Sequence, residues 1–144
     1  MAGFVALGND KYVGTYKSAE ANGVENGQFV VLNHTAKTGA LANATTGDGD
    51  VYFVANEIET VEEQGIDDIN FKVANGKYLR LKKPQKGEIL VTTKFNGTLA
   101  EGATVAVGVT GNVEAVGART PQTKFVIKEK TTEYGVDTLR LLVI

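Results

Sequence analysis

Apolar and polar residues alternate with a period of two along most of this chain, and glycine-containing turn signals interrupt the alternation at short intervals. Segments of strand length with that pattern are Tyr12–Tyr16, Gln28–Asn33, Val51–Ile58, Ile69–Ala74, Lys77–Lys82, Glu88–Phe95, Thr104–Val109, Asn112–Val116, Lys124–Lys130 and Val136–Val143. Between them stand Asn22-Gly23, Asn26-Gly27, Asp48-Gly49, Asn75-Gly76, Asn96-Gly97 and Thr110-Gly111-Asn112, all of which favour tight turns. Helical character is confined to one candidate turn, Ile58–Gln64, which Gly65 would end. Pro84 and Pro121 fall outside the expected strands, where a missing N–H breaks no ladder. The pattern predicts an all-β, single-domain antiparallel sandwich or barrel over residues 12–144, preceded by an extended N-terminal arm over 1–11.

Four expected strands share a lead-in, a glycine followed by polar or small residues and then apolar ones: Gly27-Gln28-Phe29, Gly76-Lys77-Tyr78, Gly87-Glu88-Ile89 and Gly102-Ala103-Thr104. Recurrent turn chemistry in a β protein accounts for this more simply than an internal duplication, and no function is drawn from it.

Length and composition bound the rest. A chain of 144 residues is long enough for one domain that buries roughly 68–70% of its unfolded surface. Its 42% hydrophobic and 22% charged residues match an ordinary globular domain. No apolar run approaches the ~18–20 residues needed to span a bilayer, and Met1–Asp10 lacks the basic start of a signal peptide. There is no cysteine, so disulfides, thiolate metal sites and thiol nucleophiles are excluded.

Charge is sorted along the chain although the formal total is only −2. Between Asp48 and Asn70 there are eight acidic residues and no Lys or Arg; from Lys72 to Lys94 there are seven basic residues and one acid, Glu88. Such blocks suit docking by complementary fields. In Lys77–Lys82 a strand would turn Leu79 and Leu81 inward and Tyr78, Arg80 and Lys82 outward, with Lys83 and Lys86 on the turn around Pro84. A Tyr and cations on an exposed strand can stack bases and neutralise phosphates. The net acidic balance, with pI near 5.4, argues against nucleic acid as the partner. The acidic residues Glu57, Glu59, Glu62 and Glu63 and the basic set form the two faces of a candidate interface, either between copies of the chain or within one copy.

Catalytic chemistry finds little support. His34 is the only histidine and is expected in a solvated loop. Asp48-Gly49-Asp50 lacks the spacing of a calcium loop and is expected at a hairpin tip. The pairs Glu62-Glu63 and Asp67-Asp68 sit in a polar segment, whereas catalytic carboxylates require desolvation. No metal-ligand, phosphate-cradling or nucleophile-elbow pattern is present, so neither an enzyme nor a cofactor is expected. The apolar Phe4-Val5-Ala6-Leu7 segment has no obvious place in a β core and is expected to contact this subunit or a partner.

Glu25–Leu32, a Glu-x-Gly-Gln-Phe-Val-Val-Leu strand, and Gly97–Val107, a Gly-Thr-Leu-x-Glu-Gly-x-x-Val-x-Val segment, follow an N-terminal arm in this cysteine-free chain. In these features it resembles the head decoration, or capsid cement, proteins of tailed bacteriophages, over about residues 1–118. The resemblance implies a non-enzymatic virion protein that binds the outer surface of the mature head and stabilises its lattice. Its partner would be the major capsid protein or another virion protein. It would act on the capsid surface, after assembly in the host cytoplasm, with no membrane involved. Candidate contact residues are Phe4, Val5 and Leu7 of the arm together with the two charged sets. A tail-tube or other virion β protein, and an OB-like single-stranded nucleic-acid-binding module, are the alternatives.

Overall fold

The computed structural model describes residues 12–13, 15–56, 71–133 and 135–144. The architecture is all-β. Its strands are β1 (Tyr12–Val13), β2 (Lys17–Ser18), β3 (Val24–Glu25), β4 (Phe29–Asn33), β5 (Thr38–Leu41), β6 (Tyr52–Val54), β7 (Lys72–Val73), β8 (Leu81–Lys82), β9 (Ile89–Thr92), β10 (Thr104–Val107), β11 (Val113–Ala115), β12 (Phe125–Glu133) and β13 (Val136–Val143).

One sheet has the order β1-β8-β6-β4-β5-β2. Its two ends belong to the same stretch of chain. β1 pairs with β8, Lys17 at the start of β2 bridges Tyr78 just before β8, and β2 also pairs with β5. The sheet therefore curls round on itself. The β2–β5 closure is parallel, with Lys17 opposite Thr38 and Ser18 opposite Gly39, which departs from the wholly antiparallel arrangement expected. A second sheet, β11-β10-β12-β13-β9, is antiparallel throughout, and a β3–β7 ribbon completes the body.

Two cores result. β4 sends Phe29 and Val31 to one side and Val30 and Leu32 to the other; β6 does the same with Phe53 and Ala55 against Tyr52 and Val54. The first core lies between these strands and the five-stranded sheet, which contributes Leu90, Val105, Val107, Phe125, Ile127, Leu139, Leu141 and Val143. At its centre the Phe29 ring lies 5.2 Å from Phe53 and 5.4 Å from Phe125. The second core fills the inside of the curled sheet with Tyr16, Val30, Val54, Leu79 and Leu81, and takes Val24, Phe71 and Val73 from the ribbon and its approach. Strands buried on both faces read as unbroken apolar runs, as Phe29–Leu32 and Val51–Ala55 do.

The four glycine lead-ins are four equivalent turns. Gln28 N–H donates to Glu25, Lys77 to Ala74, Glu88 to Gln85 and Ala103 to Ala100, at 3.0–3.2 Å. In each the glycine is the third residue, with φ between +81° and +90°, the left-handed position that a side chain opposes. The Asp48-Gly49-Asp50 segment is not a hairpin tip. Thr46–Asp48 is a 3-10 turn on the connection between β5 and β6, which do not pair, and Asp48 is tied to Arg119. The expected helical turn at Ile58–Gln64 and the arm over 1–11 lie outside the described residues.

Candidate functional site

The basic strand runs along the seam where the first sheet closes. Leu79 and Leu81 point into the second core, and that burial fixes Tyr78 and Arg80 on the outside, as the alternation predicts. Tyr78 is 62% exposed, the most exposed large apolar side chain among the described residues. The Lys17 ammonium sits 5.2 Å from the centre of its ring, within cation–π range.

An asparagine pair holds the seam in place. Asn56 N–H donates to Asn26 Oδ1 at 2.7 Å, and Asn26 Nδ2 donates back to the Asn56 carbonyl at 2.8 Å. The Asn56 side chain then donates to the Tyr78 carbonyl (2.9 Å) and accepts from Arg80 N–H (2.7 Å). Asn56 is the last described residue before the acidic segment. Asn56, within the acidic block, is thereby bonded to the backbone of the basic strand.

The other cations divide into two groups. Lys82 is ion-paired with Glu88; Lys83 with Asp50 at 3.1 Å, its ammonium 5.0 Å from the Tyr52 ring; and Lys94 with Glu25 at 2.8 Å. The Asp50–Lys83 contact joins the two charge blocks within one subunit. Lys72, Lys77 and Lys86 are exposed and form no ion pair with a described residue. Of the interface set, Tyr78, Arg80, Lys82, Lys83 and Lys86 thus lie along 78–86, between the seam and the start of β9. Glu57, Glu59, Glu62, Glu63, Phe4, Val5 and Leu7 lie outside the described residues.

His34 is exposed, as expected of a loop residue, yet its ring is not free: Nδ1 lies 2.5 Å from the Tyr16 hydroxyl, and the two rings meet edge to face. Arg119 was not singled out by its surroundings in the sequence. It donates through Nε and Nη2 to Asp48 and through Nη2 to the Val107 carbonyl, with Nη1 3.9 Å from Glu114. Lys17, Asn26 and Asn56 also escaped the sequence reading; Asn26 was visible there only as half of a turn dipeptide. Among the described residues no group of three or more His, Asp or Glu side chains is placed to hold a metal ion. No described helix is long and apolar enough to cross a membrane.

Comparison with protein-family models, with curated proteins and with solved structures finds no match. The class the structure defines is an all-β body of two larger sheets, a two-stranded ribbon and two cores, with a basic strand along the seam of the first sheet.

Proposed function

We propose that this chain is a non-enzymatic structural virion protein that binds the outer surface of a phage head and stabilises the capsid lattice. The observation that carries the reading is the seam itself. Exposed Tyr78 with Lys17, Lys77 and Arg80 stands on a rigid, cysteine-free β body, hydrogen-bonded to the residue from which the acidic segment departs. Cations and an exposed aromatic ring fixed on a β frame would select a complementary capsomer edge by register more than by strength, since exposed pairs contribute only ~0–1 kcal/mol each. Binding the assembled lattice better than the loose one stabilises it by mass action, which needs no catalytic group.

Co-sedimentation of the purified protein with mature phage heads that lack it tests this at low and high salt. Saturable pelleting that weakens with salt is expected; no pelleting at either salt removes the reading. A second reading, single-stranded nucleic-acid binding, is favoured by the 62% exposure of Tyr78 between cations. It requires affinity that falls steeply with salt and a loss of ~1–3 kcal/mol on Tyr78→Ala, as for a stacked base.

A further inference from the structure

The outer face of the five-stranded sheet carries an apolar row that no described element covers. Register places Ile89 of β9 opposite Leu142 of β13, Leu142 opposite Val126 of β12, and Val126 opposite Thr104 of β10. These side chains stand side by side, turned away from the first core. Ile89 is 53% exposed, Val91 42% and Ile144 40%, while Leu142 and Val126 are half-buried. Arg140 and Glu129, 3.4 Å apart in the next row, border the patch.

The size of the patch selects its occupant. Strands ~4.8 Å apart with a rise of ~3.3 Å per residue give a surface roughly 10 Å by 13 Å, far below the ~800 Å² that each partner contributes to a standard protein complex. A short extended apolar segment fits it, and a globular partner does not gain enough from it. The sequence supplies such a segment, Phe4-Val5-Ala6-Leu7. Tyr12, the first described residue, pairs antiparallel with Lys82 and so lies at the end of β8 from which the chain runs on towards β9. Lys82 is itself ion-paired with Glu88, the residue before Ile89. From Tyr12, an extended chain reaches ~17 Å to Leu7 and ~28 Å to Phe4, whereas β13 lies only ~5 Å beyond the β9 edge.

We infer that in the free protein Phe4–Leu7 docks on the Ile89–Leu142–Val126 row of its own chain. Tethering through so few residues gives an effective concentration on the order of mM, which favours the chain's own face over that of a second copy. This inference concerns the free protein and stands whether or not the protein attaches to a head.

The absence of cysteine provides a clean test. In the full-length double variant Leu7→Cys with Ile89→Cys, mild oxidation should close an intramolecular disulfide at least about tenfold faster than in Leu7→Cys with Ala36→Cys, which places the second thiol on the exposed turn after β4. Equal rates for the two pairs overturn the proposal. A disulfide-linked dimer as the main product overturns it too, by assigning the face to a second copy's segment. Hydrogen exchange gives a readout without thiols: Ile89→Asp should speed exchange at residues 4–7 several-fold, and unchanged exchange contradicts the docking.

Discussion

Arg119→Met removes a guanidinium while keeping the apolar stem, and tests whether the 3-10 turn before β6 is held by this one side chain. The Arg119 side chain is 18% exposed and its guanidinium makes three short contacts: Nε to Asp48 at 2.9 Å, Nη2 to Asp48 at 2.7 Å and Nη2 to the Val107 carbonyl at 2.6 Å. Truncation leaves the Val107 carbonyl without this donor, at about 1–3 kcal/mol for a buried acceptor. The Asp48 contact adds less than a buried charge pair would, because that carboxylate is 37% exposed and water replaces part of what it loses. The sum is about 1–4 kcal/mol. For a domain of this size that lowers the melting temperature by roughly 3–12 °C. Urea unfolding followed by circular dichroism measures the free energy directly, and raising salt from low to molar levels should recover little of it because the donor side is sheltered. Lys83→Met is the control. Its pair with Asp50 is 39% and 67% exposed, so a loss within ~1 kcal/mol is expected. A loss below ~0.5 kcal/mol for Arg119→Met would refute the view of this residue as a latch.

Glycine substitutions separate backbone strain from crowding. Gly111→Ala places a methyl 2.4 Å from the Phe29 carbonyl oxygen at φ +68°, so a loss above ~3 kcal/mol or failure to fold is expected. Gly76→Ala, at φ +81° with open space around it, should lose only about 1–2 kcal/mol in the same denaturation assay. Leu81→Ala in the second core and Leu141→Ala in the first should each lose ~2–5 kcal/mol, both side chains being fully buried. A loss under ~1 kcal/mol at either position would mean that the corresponding core is not packed as described.

Much of the fold was legible in period-two alternation, and the parts that were not have identifiable causes. Long strands such as β12 and β13 showed because each places a clean inward row, Phe125 and Ile127 or Leu139, Leu141 and Val143, against the first core. β5 escaped notice because Thr38-Gly39-Ala40-Leu41 is poor in strand formers. Its glycine is there for packing: a Cβ on Gly39 would come within 2.7 Å of Leu79 Cδ1. The two-residue strands β2 and β3 carry too little pattern to register at all. At the seam, the outward placement of Tyr78, Arg80 and Lys82 followed from the inward leucines. The asparagines that fix it did not, since Asn26 and Asn56 lie thirty residues apart and meet only in the folded chain. Asp48 and Arg119, brought together from 71 residues apart, were invisible for the same reason.

The double burial of β4 changes what keeps that strand in register. In a strand with one wet face, a slip by one residue throws its apolar side chains into water, and polarity alone forbids it. A slip of Phe29–Leu32 would instead exchange one apolar pair for another, Phe29 and Val31 for Val30 and Leu32. The penalty is then one of shape: a phenyl ring forced into the barrel and a valine left facing Phe53 and Phe125. The strand is pinned further at its start, by the turn that ends at Gln28 and by Gly111 pressed against the Phe29 backbone. Alignment of the two halves of the molecule is thus enforced by volume, and a conservative exchange of Phe29 for a smaller apolar residue would weaken that enforcement while leaving hydrophobicity nearly intact.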